Sequence, residues 1–174
     1  PKVSTLQKFI KGISSGKIRN FSLNNYKFEE EIDKNGAIAD VLSPNQSVLI
    51  QIVKEPISTK GPRVTSELSI AGRFLVLVPF SNRISISQKI EDQKEKDRLK
   101  RLVKSITPKG FGVIVRTVAK VKKVAELDRD LQNLYNRWIA MCKKIRNANI
   151  PSKVMDEMNI SSKILRDLFD ESFT

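Results

Sequence analysis

The 174 residues suffice for one ordinary domain or two small ones, and a hydrophobic share of 40% provides for a core and argues against disorder. Lysine and arginine outnumber aspartate and glutamate by 32 to 19, and the net charge of +13 favours a polyanionic partner, nucleic acid or an acidic membrane surface. The chain has no histidine and one cysteine, Cys142, which excludes histidine-based acid–base catalysis, Ser-His-Asp triads, His-containing zinc sites, internal disulfides and CxxC sites.

In chain order, Val3, Leu6, Phe9, Ile10 and Ile13 form a helical stripe that Ser14-Ser15-Gly16 ends. Residues 17–46 are weakly patterned and read as loop with one short strand, closing in a turn over Leu42–Gln46. Ser47–Lys54 is rich in β-branched residues and reads as a strand, and Glu55–Pro62 is a long polar connection. Arg63–Ile70 and Arg73–Phe80 are expected to form a hairpin. Ala71-Gly72 would make a tight turn that needs positive φ. Residues 73–80 are apolar on both faces, which predicts a central strand covered on both sides.

Glu91–Ile106 places Leu99, Leu102, Val103 and Ile106 at helical spacing behind a mostly basic face, and Thr107-Pro108-Lys109-Gly110 breaks it. Phe111–Val118 is a further strand. Lys123–Arg146 is the longest helix, with Val124, Leu127, Leu131, Leu134, Trp138, Met141 and Ile145 three and four residues apart. That spacing fits a coiled-coil seam, but so short a run fits a core-facing stripe better. Asn147–Ser152 reads as a linker and Ser161–Phe169 as a last helix with an unpartnered apolar face. The longest apolar run, Phe74–Phe80, is far too short to span a bilayer. Lys8, Lys11 and Lys17 interrupt the N-terminal region, so no signal peptide is expected.

Few residues offer chemistry. Glu29, Glu30, Glu31 and Asp33 are the densest carboxylates, but consecutive side chains diverge, so a solvated acidic loop is the preferred reading over a magnesium site. Asp128 and Asp130 flank Arg129 on a helix and do not face each other. Gly110-Phe111-Gly112 precedes a strand, whereas a phosphate-cradling glycine loop follows one. Arg116-Thr117 is more suggestive, because an arginine fork with a neighbouring hydroxyl suits a phosphate. Consecutive residues of a regular strand point to opposite faces, so the strand must end or bulge there for both to serve one ligand.

Three segments then join up. Lys60-Gly61-Pro62-Arg63-Val64-Thr65 with Ser69–Pro79 resembles the pattern KGxxLTxxISLxGxYLVLxP of the ribonuclease E/G family. Ile84–Ile90 resembles its GxSRRI segment, and Pro108–Thr117 its PxGMGLIVRTA segment. The stretch Leu127–Trp138 is similar to the family's tryptophan-bearing helix. The resemblance runs from about Val48 to Trp138 and more loosely beyond.

This resemblance implies an α+β fold, an incomplete OB-type barrel joined to a small mixed sheet-and-helix domain, the 5′ sensor. Residues 1–65 would be the later part of an S1-type OB domain with an inserted helix. Residues 66–147 would be the sensor, and 151–174 a linker and the first helix of a ribonuclease-H-like domain. The earlier barrel strands, with their base-stacking aromatics, would lie upstream. The resemblance assigns Gly72, Val76, Arg116 and Thr117 to an RNA 5′-monophosphate and Lys60 to RNA contact by the barrel. It implies that the parent is a bacterial, cytoplasmic, homo-oligomeric endoribonuclease dependent on magnesium, acting on single-stranded RNA. The catalytic carboxylates would lie in a later domain, so this chain alone would need no cofactor and would not cleave. Gln88-Lys89 stands where the family has Arg-Arg, which removes one charge and predicts weaker phosphate affinity or a less strict preference. A different class of reading makes the basic surface and long helix a structural or docking element without 5′-end discrimination. An intact nuclease with unrecognised carboxylates is the third reading. Sensing predicts a preference for 5′-monophosphorylated single strands and steep salt dependence.

Overall fold

The computed structural model describes residues 2–28 and 36–156. The acidic run at 29–33 and the expected last helix at 161–169 lie outside the described residues. The elements in order are α1 (Lys2–Ser14), β1 (Gln51–Lys54), β2 (Arg63–Thr65), β3 (Ile70–Ala71), β4 (Leu75–Pro79), β5 (Ile84–Ile86), α2 (Gln93–Ile106), β6 (Phe111–Val115) and α3 (Val124–Arg146). Short 3-10 turns lie at Ile38–Asp40 and Thr117–Ala119.

Two sheets result. β1 and β2 form an antiparallel ribbon, with Ile52 opposite Val64 and a register shift before Lys54. The second sheet has the order β3-β4-β6-β5, antiparallel except for β5 beside β6. That parallel pair requires a crossover, and α2 supplies it. Asp92 starts α2 by accepting from the Lys94 amide at 2.9 Å.

One face of the larger sheet carries the core. Leu75, Leu77, Phe111, Val113 and Val115 are buried there with Leu99 and Val103 of α2 and Leu127, Leu131, Leu134 and Trp138 of α3. The stripe along α3 is therefore a core stripe. Leu6, Phe9 and Ile13 of α1, with Phe21 and Leu23, belong to the same core. Phe9 stacks on Trp138 at 5.7 Å, and the Trp138 indole N–H donates to the Phe21 carbonyl at 3.0 Å. A buried indole needs such an acceptor, which joins α3 to the N-terminal segment. The β1–β2 ribbon contrasts with this: Ile52 is 60% and Val53 55% exposed.

Several expected elements differ. Residues 63–70 do not form one strand. Arg63–Thr65 pairs with β1 and Ile70–Ala71 with β4, because the Gln51 side chain bonds the Ser69 backbone amide and carbonyl at 2.8 and 3.1 Å, where the chain passes from one sheet to the other. The strand expected at 47–54 is paired only from Gln51. No strand is found between 17 and 46 among the described residues. β4 is central, as expected, but covered on one face only: Val76 and Val78 are half-buried and Ile114 beside them is 43% exposed. Gly110, at φ +85°, packs against Leu23, so the glycine before β6 serves a turn and a close contact.

Candidate nucleic-acid interface

The end of β6 collects the residues of interest. The strand stops at Val115 rather than running to Val118, and Thr117–Ala119 turns away as a 3-10 helix. Strict strand alternation therefore no longer applies to Thr117. Arg116 is still extended (φ −79°, ψ 161°), so by alternation it follows the exposed Ile114 onto the open face of the sheet. Its amide bonds the Phe74 carbonyl at 2.8 Å, and its guanidinium Nη1 donates to the carbonyls of Gly72 and Arg73 at 2.8 and 2.9 Å. Thr117, turned by the helix, places its hydroxyl 3.0 Å from that of Ser87 at the end of β5.

Gly72 and Val76 come from the β3–β4 hairpin. Ala71 pairs with Val76 and the Gly72 amide donates to the Leu75 carbonyl at 2.8 Å, so the tight turn is centred on Arg73-Phe74 and not on Ala71-Gly72. Gly72 does not adopt positive φ. Its lack of a side chain serves another end: a Cβ there would lie 2.6 Å from an Asp130 carboxylate oxygen. That carboxylate accepts from the amides of Arg73, Phe74 and Leu75 at 3.1, 2.8 and 2.9 Å. Two helical turns later Arg137 donates to the Ala71 carbonyl at 2.9 Å. The hairpin tip is thus held by α3 on one side and by Arg116 on the other.

A second clamp fixes the connection from Thr117 to α3. Glu95 accepts two bonds from Arg98 at 2.6 and 2.7 Å and one from the Val121 amide at 2.8 Å, while Arg98 also reaches the Lys122 carbonyl at 3.1 Å. The Arg98 hydrogen bond holds the Glu95 carboxyl down to about 2, against the opposing effect of burial and with help from the Val121 amide.

Gly72, Val76, Arg116 and Thr117 therefore lie on two adjoining strand ends. Lys60 does not join them. It is exposed on the β1–β2 connection, in a tight turn where its backbone exchanges bonds with Ile57. Gln88 and Lys89 are exposed just after Ser87. A wide, shallow recess of about 640 Å³ at the end of α3, lined by Lys143, Lys144 and Lys153 among others, contains none of the expected residues. Among the described residues, no group of three or more Asp, Glu or Cys side chains is close enough to hold a metal ion. No helix described is long and apolar enough to cross a membrane. Sequence reasoning missed Asp130, Arg137, Ser87 and the Glu95–Arg98 pair. Asp130 meets its partners across 55 to 57 residues, a distance no local pattern spans.

A model of the ribonuclease E/G family matches residues 69–174. The chain is 35% identical to ribonuclease E of Nostoc sp. over 133 residues, 76% of this chain and 19% of that protein. It is 36% identical to a ribonuclease E/G-like protein of Porphyra purpurea over 135 residues, 78% and 26% of the two. With ribonuclease G of Escherichia coli K12 the identity is 30% over 133 residues, 76% and 27%. The matched stretch is about a fifth to a quarter of the length of these relatives. On the extent of the family match, this chain belongs to the ribonuclease E/G family.

Proposed function

We propose that this chain is the RNA-binding, 5′-monophosphate-sensing portion of an endoribonuclease that processes and degrades single-stranded RNA. The observation that carries the reading is the placement of Arg116 and Thr117 where β6 ends. The guanidinium is pinned to the hairpin tip, and the Thr117 hydroxyl meets that of Ser87. A terminal phosphate carries between one and two negative charges at neutral pH and three strong acceptor oxygens. Arg116 supplies the opposing charge, and the two hydroxyls rotate to donate to the same group. A 5′-hydroxyl has neither the charge nor those oxygens, so the site discriminates. Val76 and Ile114, side by side on the open face, give the terminal base an apolar surface.

Lys60 would meet the RNA further along its backbone, from a ribbon that we read as the later part of an S1-type barrel ending near residue 65, with the sensor following to residue 147. The exposed apolar side chains of that ribbon favour this reading. Cleavage, and the magnesium it uses, would belong to another part of a longer, homo-oligomeric, cytoplasmic protein.

Fluorescence anisotropy with one short single-stranded RNA, carrying either a 5′-monophosphate or a 5′-hydroxyl, tests the proposal. Wild type should bind the monophosphate more tightly, and Arg116→Ala should erase the difference, a loss of about tenfold or more for a charge-assisted contact. Equal binding of the two RNAs by wild type would defeat the reading and favour a docking role.

A further inference from the structure

Resting on that reading, we infer that Asp130 is the positioning residue of the phosphate site: it fixes the hairpin tip on which the Arg116 guanidinium is oriented. Two peptide units link Asp130 to Arg116. In the unit joining residues 72 and 73, the carbonyl accepts from Arg116 at 2.8 Å and the amide donates to Asp130 at 3.1 Å. In the next, joining 73 and 74, the carbonyl accepts from Arg116 at 2.9 Å and the amide donates to Asp130 at 2.8 Å. Both peptides therefore lie between an anion on their N–H side and a cation on their C=O side. A third amide, of Leu75, completes a nest around the carboxylate at 2.9 Å.

Each charge strengthens the bond made at the other end of the same peptide, because the peptide dipole points from one to the other. The guanidinium direction is thereby coupled to a carboxylate that it does not itself touch. Gly72 gives an independent sign of the same design, since a Cβ there would sit 2.6 and 2.7 Å from the two Asp130 oxygens. Three consecutive tip amides donate to Asp130, so its charge serves the loop. Arg137, on the same face of α3, holds the Ala71 carbonyl at 2.9 Å and sets the hairpin's approach to the helix. With Asp130 gone, three amides at the tip lose their acceptor and the two carbonyls are free to rotate away from Arg116.

The readout is the ratio of affinities for the 5′-monophosphate and 5′-hydroxyl RNAs, measured on the 174-residue chain. A residue that merely supports the fold weakens both RNAs together and leaves the ratio unmoved. Asp130→Asn and Asp130→Ala should each lower the ratio by about tenfold, as loss of a charge-assisted network would. Sodium formate should partly restore it in Asp130→Ala by filling the vacated nest, and should do nothing for Arg116→Ala. Should Asp130→Ala fail to fold, Asp130→Asn still decides the question. An unchanged ratio in these variants, beside a discriminating wild type, overturns the role of Asp130 alone. A wild type that does not discriminate overturns the sensing reading, and this inference with it.

Discussion

At the residue scale, this protein repeatedly uses a charged side chain to hold backbone groups. Asp130 takes three amides, Arg116 two carbonyls, and Glu95 an amide together with Arg98. Such bonds are worth more than exposed ion pairs, because a half-buried peptide group left without a partner is penalised. Glu95 makes the effect measurable. Its carboxyl is held from the ordinary 4.5 down to about 2, so the stabilisation is complete above about 4.5 and is lost as pH falls toward 2. Glu95→Gln should therefore cost about 1–2 kcal/mol at neutral pH, discounted for the partial exposure of Arg98. In urea melts the gap between variant and wild type should close across that acid window. A gap that is constant with pH would show that the charge of Glu95 does not matter.

Elements place these residues by where they end. β6 stops after Val115, and that stop lets Arg116 keep to the open face while Thr117 turns toward β5. The hairpin between β3 and β4 is tight at Arg73-Phe74 because α3 supplies the acceptor for three consecutive amides. A strand with one bare face exposes apolar side chains without unfolding anything, and Ile114 is such a residue at 43% exposure. Ile114→Ser should leave thermal stability nearly unchanged, within about 0.5 kcal/mol as for most surface changes. It should nevertheless weaken binding of the 5′-monophosphate RNA severalfold if the terminal base rests on this face. Unchanged affinity would remove Ile114 from the interface.

Over the whole molecule, one core joins α1, α2, α3 and the four-stranded sheet, whereas the β1–β2 ribbon leaves apolar side chains exposed. Cys142 lies inside that core, fully buried on α3, and burial pushes its thiol up to about 12. It should resist a thiol-specific chromogenic reagent at neutral pH and react only as the core opens. Its labelling in a denaturant titration should then follow the loss of the far-ultraviolet helix signal. Labelling well before that transition would mean that α3 separates from the core on its own.

The sequence by itself determined the family, the α+β class, three helices and the central strand. Each rests on a local signal: helical spacing in α1, α2 and α3, β-branched runs in β4 and β6, and ordered motifs around Gly72 and Arg116. The turn of the β3–β4 hairpin lies at Arg73-Phe74 rather than at Ala71-Gly72, because glycine at 72 answers to a carboxylate on a distant helix rather than to a backbone angle. The strand expected over 111–118 ends at Val115, since β propensity continues through Val118 while the chain turns away at Thr117. Only the tertiary structure decided the roles of Asp130, Arg137, Ser87 and Glu95. Asp130, Arg137 and Glu95 hold backbone groups 26 to 66 residues away, which carry no side-chain signature in a sequence, and Ser87 meets the Thr117 hydroxyl across 30 residues.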